Sequence, residues 1–353
     1  MSDKAFVELV TELDAAVAEA DGHGHGFVDT PVIDGSALAA AAGLDINLFI
    51  KTEPHNIGGS HKARHLMGVA IHLRIAEVLG DPMPDRLAIA SCGNAAIGAS
   101  VIAKALHRPL DVFVPTWADA AVIDRLEQLD ASIQRCERRD GEAGDPCYLR
   151  FSEAVASGAA AFSVQGIDTP STFDGGRTIG WELSEQVGQL DAIFVQVGGG
   201  ALATSVAMAL NDGAGPTVAL FPVQAEGCAP LRRAWDLLAP DFDFAAAEAS
   251  PERYMWPWEN PHSYATGILD DVTYDWLPLL KATLASGGEP IVVPEALMVQ
   301  AHEMAKAETG VPVCATGVAG LAGLLHQPFQ QDKAGSKPRV ALLFTGIDRT
   351  LSL

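Results

Sequence analysis

The sequence predicts an α/β protein whose parallel sheets are covered by helices on both faces. Three observations predict it. Short, largely apolar runs recur along the chain, as at 87–90, 110–114, 192–197 and 340–344. Segments of helical composition separate them, the rhythm of strands buried on both sides. Small or polar residues stand where several of these strands hand over to helices, which is where an open parallel sheet binds its ligands.

Taken in order, residues 1–20 read as an amphipathic helix. It is broken by His23-Gly-His25-Gly, a tract that can bind metal but reads more simply as a flexible turn. Thr30-Pro31-Val32-Ile33 opens an extended segment, and 46–50 is a strand. A helix with apolar periodicity begins at Lys62. Then come strand 87–90, helix 95–106, strand 110–114 and helix 118–129, with Val122, Leu126 and Leu129 on its apolar face. Strand 132–136, a helix over 147–157 and a strand-like stretch at 161–164 follow. The second half repeats the pattern. It has helix 178–187, strand 192–197, helix 201–210, strand 218–223, helices 295–308 and 318–325, and strand 340–344. Residues 227–290 break the pattern. They are rich in Trp, Pro and Asp, show no clear period, and read as irregular structure over the sheet.

At 353 residues and 37.0 kDa the chain is long enough for two domains. Lys+Arg 23 against Asp+Glu 45 leaves a net charge of −22, which repels phosphate backbones and anionic lipid and so excludes sequence-independent nucleic-acid binding. No apolar run approaches the ~18 residues of a membrane span, and the N-terminus carries no recognisable secretory signal. Five cysteines without a CxxC, Cys92, Cys136, Cys147, Cys228 and Cys314, argue for reduced thiols and a cytoplasmic setting rather than a disulfide scaffold or zinc ribbon.

Four strand-end or helix-start loops carry candidate chemistry. Gly198-Gly199-Gly200-Ala201 lies between a buried strand and a helix. Glycines admit close backbone approach, and the helix N-terminus offers N–H groups to an anion. Phosphate binding and a tight packing turn are about equally good readings of that loop alone. Ser91-Cys92-Gly93-Asn94-Ala95 supplies hydroxyl, amide and N–H donors at a helix start. They suit a carboxylate, or simply cap the helix. Gly58-Gly59-Ser60-His61-Lys62 puts a lysine at the positive end of a helix, which favours the neutral, nucleophilic amine. His61 and His65 have a metal-pair spacing, but no carboxylate stands at a matching distance, and no metal is expected. Thr345-Gly346 ends the last apolar strand and would place a hydroxyl at the sheet edge.

In that order, the loops resemble the tryptophan-synthase-β-like (fold type II) family of pyridoxal-phosphate enzymes, which contains threonine and serine dehydratases, threonine synthase, serine racemase and cysteine synthase. The resemblance spans about 30–348. Thr30-Pro31-Val32 is similar to the family's Thr-Pro-Leu opening. Lys51-Thr52-Glu53-Pro54-His55-Asn56 with Gly59-Ser60-His61-Lys62 resembles its lead-in to the Schiff-base lysine. Gly175-Gly176-Arg177-Thr178-Ile179-Gly180-Trp181-Glu182 resembles the Gly-Lys-Thr-x-x-Tyr-Glu stretch of threonine synthases and dehydratases. The resemblance implies two open, twisted, mostly parallel sheets flanked by helices, with the cofactor in the cleft between domains. It implies a large domain of 1–83 and 164–353 and a small mobile domain of 84–163.

By the same resemblance, Lys62 would hold pyridoxal 5'-phosphate as a Schiff base and carry the α-proton. Gly198, Gly199, Gly200 and Ala201 would cradle the phosphate, and Asn94 would bond the ring hydroxyl. Ser91, Cys92, Gly93 and Ala95 would line the site of the substrate carboxylate. Thr345 would face the pyridine nitrogen, where a hydroxyl makes the ring a weaker electron sink than a carboxylate does. Asp348 nearby is a carboxylate that would restore the sink. His61 departs from the aromatic or aliphatic residue usual in dehydratases. Cys92 stands where serine racemase has a serine, and reads as packing. The implied function is a lyase that eliminates the β-group of a small β-hydroxy or β-substituted amino acid, giving a keto acid and ammonia. The alternatives are threonine-synthase-like or cysteine-synthase-like replacement, with racemisation resting on Cys92 alone. The implied partners are an amino-acid substrate and a second copy of the chain in a homodimer.

Overall fold

The structure, a computed structural model, describes residues 1–22, 24–213, 216–239, 241–330 and 336–349; His23 of the His/Gly tract lies outside the described residues. The elements run α1 (Asp3–Asp21), β1 (Val32–Asp34), α2 (Ser36–Ala41), β2 (Asn47–Thr52), α3 (Lys62–Leu79), β3 (Leu87–Ala90), α4 (Asn94–Ala105), β4 (Leu110–Pro115), α5 (Ala120–Gln128), β5 (Ser132–Cys136), α6 (Pro146–Ala156), β6 (Ala160–Ala161), α7 (Thr172–Val187), β7 (Ala192–Gln196), α8 (Ala201–Leu210), β8 (Ala219–Ala225), α9 (Pro230–Leu238), α10 (Phe244–Ala249), α11 (Trp276–Ser286), β9 (Ile291–Val293), α12 (Glu295–Thr309), α13 (Ala319–His326) and β10 (Arg339–Phe344). They form two compact units, one of 1–28 with 56–175 and the other of 29–55 with 176–353. Residues 1–28, 56–83 and 164–175, which the sequence reading puts in the large domain, therefore pack with the four-stranded sheet.

The first unit is built on the parallel sheet β5-β4-β3-β6. Successive residues of a strand point to opposite faces, and both faces of this sheet are apolar. Leu87 and Ile89 join Val112 and Val114 in a core with α1, α3, α4 and α5. Ala88 and Phe113 join Cys136, Cys147 and Phe151 in another beneath α6. This is why the central strands β3 and β4 read as largely apolar runs rather than alternating ones.

The second unit has the sheet order β1-β2-β10-β7-β8-β9, antiparallel only at β1–β2. Phe194, Phe221, Val223 and Leu342 face α12 and α13. Ile193, Val195, Leu220 and Leu343 face the opposite side with Leu202, Leu231 and Leu279. Its edge is tied by a buried ion pair: Lys51 Nζ lies 2.6 Å from Glu182 Oε2, 2.5 Å from the Thr30 carbonyl and 2.9 Å from Gln186 Oε1. Thr30 Oγ1 donates to Glu53 Oε1 at 2.6 Å. Three of the stretches quoted for the family resemblance thus meet in one polar knot.

The expectation of irregular structure over 227–290 holds for 250–275, which contains only two short helical turns, and is corrected on either side of it. The stretch contains α9, α10 and α11. In α9 the residues Leu231, Ala234, Trp235 and Leu238 are buried, a spacing that fits one helical face. Pro230 begins α9 and Pro278 falls in the first turn of α11, where proline costs no hydrogen bond. These two prolines stand in the first turns of helices and do not break them. Strand β6 is shorter than the expected 161–164, because Ser163 Oγ turns away to donate to Asp168 Oδ2. The strand β9 and the helix α2 were not read from the sequence at all.

Candidate active site

The candidate residues fall into two sets, one in each compact unit. In the first unit Lys62 opens α3. The turn before it is held by Asn56, whose Oδ1 accepts from Ile57 N at 2.8 Å, and by Gly58 and Gly59, both at positive φ (63° and 74°). Ser60 Oγ accepts from the Lys62 amide at 3.3 Å. The helix is seated by backbone contacts that only glycine permits. A Cβ at Gly175 would fall 1.9 Å from the Arg64 carbonyl oxygen, and one at Gly68 would fall 2.6 Å from Gly175 N. A Cβ at Gly98 would meet Ala63 N at 3.3 Å, so α4 lies directly on the first turn of α3.

That packing brings Asn94, the first residue of α4, to the same end of the unit as Lys62. Gly93 is the N-cap residue, and no side chain caps the helix. Ser91 Oγ instead accepts from Gly93 N at 3.4 Å. Cys92 is half-buried and packs against the core beneath β3.

His65, one turn beyond Lys62, is a residue the sequence reading weighed only as half of a metal pair. Its ring is buried and stands edge-on to His61, centroids 5.6 Å apart. Nδ1 is 2.9 Å from the Thr172 carbonyl, which can only accept, so Nδ1 carries the proton. Burial, and then the charge of Lys62, hold its pKa down to about 3, with Arg64 adding to the effect and the Thr172 bond opposing it. The imidazole is therefore neutral throughout the physiological range. Among the described residues no group of three or more His, Cys, Asp or Glu side chains is arranged to hold a metal ion.

In the second unit the glycine loop joins β7 to α8. Gly200, at φ 103°, is the N-cap of α8, and no side chain caps the helix. A Cβ at Gly198 would lie 2.2 Å from Asp270 Oδ2, and one at Gly200 would lie 3.1 Å from Thr273. The segment before α11 closes over the loop, with Asp275 N donating to the Gly199 carbonyl at 2.8 Å. Part of the stretch read as irregular thus abuts the glycine loop. Strand β10 pairs in parallel with β7, Val340 opposite Ala192 and Leu342 opposite Phe194. That register carries Thr345 to the end of the strand next to the glycine loop.

Thr345 is buried, and its Oγ1 accepts from Gln196 Nε2 at 2.7 Å. Asp348 is engaged elsewhere. Its carboxylate lies 3.6 Å from Lys306 Nζ and 3.8 Å from His302 Nε2. His302 is itself bonded to the Tyr264 hydroxyl and the Val313 carbonyl. Gln196 was missed from the sequence. Its signal is a lone amide closing the strand Ala-Ile-Phe-Val-Gln.

The donor set fits a phosphorylated pyridine. An uncapped helix start behind three glycines suits the dianion, and a hydroxyl one strand away suits a ring atom. A family model described as pyridoxal-phosphate dependent enzyme matches residues 25–346, and the chain belongs to that family; its cofactor is pyridoxal 5'-phosphate. The chain is 25% identical over 312 residues to a serine racemase of Oryza sativa subsp. indica, covering 86% of this chain and 81% of the relative. It is 26% identical over 235 residues to a phenylserine dehydratase of Ralstonia pickettii, covering 67% and 68%. The solved structure of maize serine racemase superposes with a TM-score of 0.71 at 21% identity, over 97% of this chain and 95% of that one, a likeness of fold. Among the described residues no helix is long and apolar enough to cross a membrane.

Proposed function

We propose that the protein is a pyridoxal-phosphate-dependent lyase of the ammonia-lyase type, acting on a small β-hydroxy or β-substituted amino acid. The observation that carries the proposal is the hydroxyl of Thr345 beside the glycine loop, with the Asp348 carboxylate close to Lys306 and His302. Bound there, the cofactor supplies an electrophilic aldehyde and an electron-withdrawing ring. The Thr345 hydroxyl, in place of a carboxylate, would leave the withdrawing power of that ring modest, which suits elimination of a β-group.

In this reading the N–H groups of Gly198, Gly199, Gly200 and Ala201 hold the phosphate. The Asn94 amide donates to the ring hydroxyl. Ser91, Cys92, Gly93 and Ala95 bind the substrate carboxylate at the uncapped start of α4. Lys62 anchors the cofactor through Nζ, and that amine, once displaced by the substrate's amine, takes the α-proton. The β-hydroxyl leaves with a proton as water, and water then replaces nitrogen, so that the net products are a keto acid and ammonia. The five free thiols support a reducing, cytoplasmic setting, and a homodimer is the assembly we propose.

Racemisation is the second reading, favoured by the similarity to serine racemase over most of the chain. One assay separates the readings. Purified holoenzyme is given serine, threonine, 3-hydroxyaspartate and phenylserine without any added nucleophile, and keto acid and ammonia are measured. Stoichiometric release of both is expected. Inversion without keto acid would establish a racemase, and a strict need for a second substrate would establish a replacement enzyme. Borohydride reduction and peptide mapping are expected to tag Lys62, and Lys62→Ala is expected to lose the visible absorption band.

A further inference from the structure

A glycine loop admits a ligand closely because its backbone turns easily, and it has no side chains to hold its peptides in one orientation. The orientation has to come from outside the loop. Gln224 lies on β8, beside the strand that leads into the loop, and is fully buried. Its Oε1 accepts from Leu231 N at 2.9 Å and from Arg232 N at 3.3 Å, in the first turn of α9. Backbone N–H groups only donate, so the amide oxygen must face α9 and the NH2 group must face the other way. On that side Nε2 donates to Thr273 Oγ1 at 3.3 Å and to the carbonyl of Val197, the residue before Gly198, at 3.5 Å. Turning the amide over would set its oxygen against that carbonyl and its NH2 against two N–H groups.

The peptide bond is planar and trans, so a carbonyl held on one side sends the N–H of the next residue to the other. Holding the Val197 carbonyl on Gln224 therefore turns the Gly198 N–H away from Gln224. Asp275 acts likewise two peptides further on. Its N–H holds the Gly199 carbonyl at 2.8 Å and so turns the Gly200 N–H away from Asp275. The two anchors are joined. Thr273 accepts from Gln224 through Oγ1, and its Cγ2 lies 3.1 Å from where a Cβ at Gly200 would stand. Gln224 thus ties the start of α9, the segment before α11 and the entry to the glycine loop into one brace, all within the second unit.

We propose that Gln224 is a positioning residue that keeps the N–H groups of the glycine loop turned to the cofactor's phosphate. The inference rests on the reading that this loop holds the phosphate. Without the amide, the Val197 carbonyl loses this donor, and the adjoining glycine lets that peptide turn over with little strain. A turned peptide presents a carbonyl oxygen, not an N–H, to a dianion. The loss falls on the phosphate ester; the aldehyde end of the cofactor, which Lys62 anchors in the same reading, is untouched.

The test is the affinity of the full chain, stripped of cofactor, for pyridoxal 5'-phosphate and for pyridoxal, which carries the same aldehyde without the phosphate. Both are titrated by the visible absorption band. Wild type is expected to bind the phosphorylated form far more tightly. In Gln224→Met that form is expected to bind about tenfold more weakly, the scale of one hydrogen bond, with the affinity for pyridoxal unchanged. Thr273→Val, which keeps a methyl against Gly200 and removes the hydroxyl, is expected to show the same selective loss at a smaller size. Equal weakening of both ligands in Gln224→Met makes its role purely structural and overturns the proposal, as does no loss for either. If Gln224→Met does not fold, Thr273→Val decides, and an unchanged ratio of the two affinities there overturns the proposal. A wild type that binds both forms equally overturns instead the reading of the loop as the phosphate site, and the proposal with it.

Discussion

Lys62 has a neutral imidazole one turn along its own helix. The ordinary histidine value is 6.5, and in the fold His65 is held to about 3, first by burial and then by the charge of Lys62. The sign follows directly. Below pH 6.5 the unfolded chain takes up a proton that the folded chain refuses, so this group subtracts stability as the pH falls. Between pH 6.5 and about pH 5 the loss from this one side chain is about 2 kcal/mol. Urea unfolding of wild type and His65→Gln at neutral pH and near pH 5 measures it. The variant should lose less stability on acidification by about that amount, and equal losses would mean that the imidazole protonates in the folded state. What places His65 is legible in part. Its spacing from His61 is visible in the sequence, but a metal pair and a buried, carbonyl-bonded ring share that spacing. Only the contact with Thr172 separates them.

At the scale of elements, the placement of Lys62 depends on how closely α3 is approached by its neighbours. The Arg64 carbonyl lies where a Cβ at Gly175 would stand, 1.9 Å away, and backbone cannot step aside as a side-chain tip can. Gly175→Ala is therefore expected to cost about 1–3 kcal/mol, the usual scale of overpacking. Because the displaced backbone belongs to the turn that presents Lys62, cofactor occupancy should fall as well. Denaturant titration and the visible band of the purified variant check both effects; wild-type stability in that variant would mean that the helices part without strain. From the sequence, Gly175 belongs to a stretch that resembles a family motif, yet nothing in that resemblance says which carbonyl it touches. Helix α9 makes the opposite point. Its buried face of Leu231, Ala234, Trp235 and Leu238 was readable, but Pro230 and the surrounding Trp and Asp residues obscured it. A proline is a breaker or a starter according to its position within the helix, which composition does not reveal.

For the whole molecule, a net charge of −22 means that the folded chain stores more self-repulsion than the expanded one. Added salt screens it. Thermal unfolding is thus expected to shift upward between low and moderate ionic strength, and a melting temperature that does not move would mean that the excess charges lie too far apart in the folded chain to repel one another. The sequence by itself determined the alternation of strands and helices, because a strand buried on both faces must be apolar along its whole length. It determined the order of the lysine, the carboxylate-type nest, the glycine loop and the terminal hydroxyl, because each is a contiguous segment. Tertiary structure alone decided what those segments meet. The Gln196 amide turned on Thr345, the His65 ring bonded to Thr172, the backbone seat of α3 on Gly175 and the folding of 227–290 all depend on partners tens to hundreds of residues away. Proximity of that kind is set by packing and register, which leave no local mark on the chain.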